Sequence, residues 1–137
     1  MIQKKPLIPQ RVRTIRGSFA YIEHRFLRDG FFASLSHHEL LIYFFLVLAS
    51  DRNGLSFYSY DKICSLLEMD IEDYLEARNN LIKKDLIAFD GRLFQVLSLP
   101  DRKEDAPPTL LKTQRDMARN DPATIHHICR QTFGENP

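Results

Sequence analysis

Apolar positions recur along this chain with two different periods, and each change of period marks an element. From Leu40 to Ala49 the run LLIYFFLVLA is apolar without interruption. It is about half of the roughly 20 residues needed to span a bilayer, so it predicts a buried helix. The start of that helix is written just before it. In SHHE, Ser36 can accept from the backbone of Glu39 while the Glu39 side chain reaches back, the reciprocal cap that precedes an apolar run. The helix is predicted from about His37 to Ser50. Its apolar residues cover the whole circumference, so it needs cover from the aromatic segment Phe19 to Phe32 or from a second subunit.

Upstream, Phe19, Ile22 and Phe26 stand at helical spacing, with Ser18 as a cap and Gly30 as a stop, which predicts a short amphipathic helix. Downstream, Asn53-Gly54 predicts a turn and Leu55 to Phe57 a short strand. Ser59 is placed to cap a helix carrying Ile63, Leu66 and Leu67 on one face, and Asp70 to cap the next, with a turn of three or four residues between them. That second helix ends near Lys83-Lys84, where cations suit the negative end of the dipole. The period then falls to two. LIAFDGRLFQVLSL reads as a hairpin whose strands meet at Asp90-Gly91 in a two-residue type I′ turn.

The order helix, strand, helix, helix, strand, strand predicts a mainly α (α+β) winged helix-turn-helix with a two-stranded wing over residues 18–99. Residues 1–17 have two prolines and no acid, and read as an extended basic arm. Residues 100–109, with two adjacent prolines, read as a linker. Residues 110–137 read as a helical tail in which Asp121 caps, Pro122 takes the first position and Ile125, Ile128, Cys129 and Phe133 form one stripe. That stripe is expected to dock on the domain or on a protein partner.

Composition agrees with one folded domain: 137 residues, 44% hydrophobic and 27% charged. The net charge of +1 conceals a division. Residues 1–30 carry seven bases and two acids, residues 31–100 six and ten, and residues 101–137 six and six. A basic end beside an acidic middle directs attention to a nucleic-acid or acidic partner for the arm. The N-terminus lacks the apolar stretch of a secretory signal, so a cytoplasmic location and no membrane are expected. Cys64 and Cys129 lie far apart on apolar stripes and read as buried thiols.

Chemistry-bearing motifs are sparse. The five glycines are scattered and form no phosphate loop. His37-His38 and His126-His127 are helix neighbours that point about 100° apart, and His126 with Cys129 has no further ligand nearby, so no metal and no cofactor are expected. No nucleophile with a base stands out, and the chain is not read as an enzyme.

The stretches FLRDGFFASLSHHELLIYFFLVLASDRNGLSFYS and KICSLLEMDIEDYLEARNNLIKKDLIAF resemble the winged-helix module at the N-terminus of bacterial and plasmid replication initiators of the RepA and DnaD kind, and of small phage and mobile-element regulators. The resemblance runs from Phe19 to Leu99. It departs at Tyr58, where the family usually has proline, at Asp85, where it usually has glycine, and in the second helix, which the family commonly makes basic or small and polar. It implies double-stranded DNA as a partner, a homodimer, and a role in replication or transcription control.

On a helix at about 100° per residue, Ile71, Tyr74, Leu75, Ala77, Leu81 and Ile82 share one arc, and Glu72, Glu76, Asn79, Asn80 and Lys83 face away. The latter would meet the major groove, where asparagine can read adenine. Glu72 and Asp73 offset the helix dipole in the first turn, but Glu76 is too deep for that. Attraction to phosphates is therefore expected from Lys4, Lys5, Arg11, Arg13 and Arg16 on the arm, from Tyr60 and Lys62 at the first helix of the pair, and from Arg92 at the wing tip, with Lys83 a DNA-binding candidate on the groove-facing side. Arg78, inside the apolar arc, is read as a snorkelling side chain. Leu75 and Ile82 at the edge of the arc, with Ile125 and Ile128 on the tail, are interface candidates. They belong to the alternative reading, a protein–protein assembly module with little DNA affinity.

Overall fold

The reciprocal cap at Ser36 forms in full in the computed structural model, which describes residues 3–101, 122, 123 and 126. The Glu39 N–H donates to Ser36 Oγ at 3.3 Å and the Ser36 N–H to Glu39 Oε1 at 3.1 Å, and the helix runs His37–Ala49. Counting in chain order, a single turn, α1 (Arg25–Arg28), precedes this helix, α2. There follow β1 (Leu55–Ser56), α3 (Tyr60–Leu67), α4 (Ile71–Lys83), β2 (Ile87–Phe89) and β3 (Phe94–Val96). The chain is thus a mixture of helices and a small antiparallel sheet with strand order β1-β3-β2.

α2 and α4 carry the core between them. Ile42 and Leu46 of α2 meet Leu81 of α4 and Ile63 of α3, all fully buried, and each such side chain contributes roughly 1.5–3 kcal/mol of transfer free energy. The sheet closes one side with Ile87, Phe89 and Phe94. On the other side the aromatic segment, one of the two covers the pattern allows, shields part of α2: Phe26 stacks on Tyr43 at 4.9 Å between ring centroids and near Phe31 at 6.3 Å, while Leu41 and Leu48 stay exposed. Burial, with Glu23 nearby, pushes the Tyr43 phenol up to about 12.

Local chemistry sets the joints. The Asp70 carboxylate caps α4 by accepting from the Asp73 N–H at 2.9 Å. Glu68 takes a left-handed backbone, φ 53°, between α3 and α4, leaving a three-residue turn, Glu68 to Asp70. After α4, Asp85 takes φ 64°, its N–H bonds Ile82 O, and the Leu86 N–H bonds Leu81 O, a left-handed helix stop usually made by glycine. At the turn into β1, Gly54 has φ +84°, and a β-carbon there would stand 2.6 Å from Val96 O. Only glycine fits, because the Val96 N–H also donates to Gly54 O at 2.8 Å.

Four local expectations are corrected. The arm is not extended throughout: Pro9–Arg11 form a 3-10 turn in which the Arg11 N–H donates to Ile8 O at 2.9 Å. The segment from Ser18 to Glu23 is not helical; only Arg25–Arg28 is, because Phe19 and Tyr21 stay exposed and Phe26 is the first side chain to reach the core. Ser59 stands at the N-cap of α3 but accepts no backbone hydrogen bond; it bonds the Asp61 carboxylate, which also accepts from the Lys62 N–H and is held below its usual range. The hairpin tip lies one residue later than Asp90-Gly91. Phe89 pairs with Phe94, the Asp90 N–H bonds Leu93 O, and Asp90 Oδ1 accepts from the Arg92 and Leu93 N–H groups. Register wins over the dipeptide preference because it puts the Phe89 and Phe94 rings on one face, stacked at 4.2 Å.

Among the described residues no helix is long and apolar enough to cross a membrane. The linker at 100–109 and the tail stripe with Ile125 and Ile128 lie, apart from residues 100 and 101, outside the described residues.

Candidate nucleic-acid interface

The outward stripe of α4 is Glu72, Glu76, Asn79 and Lys83, residues spaced at three and four. Both glutamates and Lys83 are exposed, so the stripe offers one cation against two carboxylates. Neither asparagine is loose. Asn79 Oδ1 accepts from Arg78 Nε at 3.2 Å and Nη2 at 2.9 Å. Asn80 turns toward α2, where its Nδ2 donates to Glu39 Oε2 at 3.0 Å.

Glu39 is the reason. Its carboxylate is buried and gathers the Ser36 N–H, Asn80 Nδ2 and Lys84 Nζ, the last at 2.7 Å. Burial alone would raise its pKa, but these hydrogen bonds, with the Lys84 charge, hold it below the ordinary value of 4.5. Lys84 also donates to Ser34 O at 2.8 Å. Asn80 and Lys84 are therefore committed to joining α2 to α4, and Lys83 alone of that end points to solvent.

Arg78 is wholly buried, so it does not snorkel to solvent. Its guanidinium lies 4.9 Å from the Phe89 ring centroid and 5.4 Å from that of Tyr74, and is bonded to Asn79. Leu75 and Ile82 are likewise in the core and leave little surface for a partner.

At the start of α3, Lys62 is exposed, whereas Tyr60 is half-buried against the C-terminal segment. Its hydroxyl stands 3.4 Å from His126 Nδ1 and its ring 5.7 Å from the imidazole, while Ala123 of the same segment is buried in the core. At the hairpin tip Arg92 is exposed, its guanidinium 5.5 Å over the Phe57 ring. Phe57 precedes Tyr60 by three residues, so the tip adjoins the entry to α3. The arm cations Lys4, Lys5, Arg11, Arg13 and Arg16 are all exposed.

The arm is rooted elsewhere. Phe19 to Glu23 run beside the Ser50–Gly54 turn and Gln95–Leu99, the end of the sheet where Gly54 meets Val96. Arg92 and Phe57 mark the opposite end. The cations thus form two groups, with the acidic stripe of α4 belonging to neither. Each cation could be located from sequence, but the Glu39 junction that takes Asn80 could not be foreseen, since only the fold brings α2 beside that face.

Other chemistry does not assemble in the described residues. No three His, Cys, Asp or Glu side chains converge as a metal site there. Burial pushes the Cys64 thiol up to about 11, which leaves it a poor nucleophile at neutral pH. Comparison with protein-family models, curated proteins and solved structures found no match for the chain.

Proposed function

We propose that this chain is a winged-helix DNA-binding protein acting in the control of replication or transcription, with β2–β3 as its wing. One observation carries the reading. Two helices joined by a three-residue turn are followed by a hairpin whose tip arginine sits beside the entry to the first of them, and the same chain bears an exposed arm with five cations and no acid. Phosphate affinity then comes from Arg11, Arg13, Arg16, Lys62 and Arg92, and α4 adds little attraction. An arginine-bearing arm also suits a narrow minor groove, where negative potential concentrates.

The test is duplex binding by fluorescence anisotropy across a salt series. Binding at low salt is expected, and replacing Arg11, Arg13 and Arg16 together by alanine should lower the slope of log K against log salt by about 0.9 for every phosphate that these arginines neutralise. An unmodified protein with no duplex affinity at low salt contradicts the proposal.

A further inference from the structure

Two apolar surfaces of this chain have no partner among the described residues. The first is a groove of about 390 Å³ between the extended segment Ala20–Ile22 and Phe44, Val47 and Leu48 of α2. Leu48, at its rim, is 76% exposed. The second is the arm itself. Leu7, Ile8, Val12 and Ile15 are each more than half exposed, and phosphate contact by the neighbouring cations leaves these four large apolar side chains uncovered.

We propose that the arm of one copy of this chain lies in the α2 groove of a second copy, and reciprocally. Charge over the whole domain favours this occupant: the arm carries five cations and no acid, and residues 31–100 carry ten acids and six bases, whereas the groove lining itself is uncharged. Reach permits it, since residues 3–16, with Pro9–Arg11 kept as a single 3-10 turn, cover about 42 Å, more than twice the length of the thirteen-residue α2. Gly17, with φ +74° and nothing within 4 Å of where its β-carbon would be, gives the arm an open point of departure. The groove begins only three residues beyond Gly17, so a chain filling its own groove would have to reverse at once and lie on itself. In this structure residues 3–17 stand exposed instead. Reciprocal exchange is a closed two-fold arrangement and leaves no arm or groove over. It does not rest on the DNA reading, although the five arm cations that favour this occupant are those that reading assigns to phosphate.

The experiment mixes two single variants, Val12→Cys and Leu48→Cys, under mild oxidation and maps the cross-links by peptide mass spectrometry, so that Cys64 and Cys129 are told apart. Light scattering on the unmodified chain, and on Leu48→Glu and Ile15→Asp, runs beside it, with circular dichroism to confirm folding of these exposed-site variants. The expected result is an inter-chain link between positions 12 and 48, a mass twice 16.1 kDa for the unmodified chain, and a fall to 16.1 kDa in both charged variants. A single-chain mass at high concentration overturns the proposal. So does a dimer that links only position 48 to position 48 and ignores Ile15→Asp, since its helices then pair without the arm.

Discussion

Glu39 and Arg78 are the two buried charged side chains among the described residues, and each is held in place by an asparagine of α4. Removing the Glu39 charge leaves Lys84 and Asn80 facing a neutral amide, and Glu39→Gln should cost about 2 kcal/mol in urea unfolding. The pH dependence has a definite sign. The folded carboxyl is held below 4.5, so its contribution is complete above that pH and is lost as pH falls through the folded value. Asp51, Asp61 and Asp90 are shifted the same way by hydrogen bonds to their carboxylates. The acid limb of stability against pH should therefore survive in Glu39→Gln but be shallower; an unchanged limb would mean that Glu39 contributes nothing to it. Arg78→Ala should destabilise by about 3 kcal/mol, and Arg78→Met, which restores most of the stem, by clearly less. Equal losses in the two variants would mean that packing of the stem counts for nothing.

Elements were legible where their signals are local. The Ser36 and Asp70 caps and the apolar run of α2 each depend on residues a few positions apart, and each is visible in the chain. What depended on partners distant in sequence was not. A helical wheel gives Asn80 an outward angle because it knows nothing of Glu39, forty-one positions earlier, and gives Arg78 a route to solvent that the packed core around Phe89 and Tyr74 closes. The hairpin tip moved by one residue because stacking Phe89 on Phe94 outweighs a dipeptide preference. Two substitutions test this scale. Gly54→Ala should cost about 3 kcal/mol, since it combines a positive φ with a clash against Val96 O; a neutral result would mean that the β1 turn is not built as described. Glu76→Lys reverses a charge in the outward stripe of α4. If that face approaches DNA, duplex affinity rises several-fold at low salt and the salt slope steepens by about one. No change would turn α4 away from the duplex.

At the scale of the molecule, cations and acids are sorted by element. The arm holds five cations, the hairpin tip and α3 entry present Arg92 and Lys62, and the face of α4 between its caps is predominantly acidic. Under the proposed DNA reading, this division assigns attachment to the arm and the β2–β3 hairpin, with α4 contributing selection more than attraction. The most direct measurement compares duplex affinity over a salt series for four proteins: unmodified, Arg11/Arg13/Arg16 to alanine, Arg92→Ala, and Asn79→Ala. The arm and Arg92 variants should lose affinity and salt slope, while Asn79→Ala keeps both within about twofold. Loss confined to Asn79→Ala, or no binding by any of the four at low salt, would contradict attachment through arm and wing.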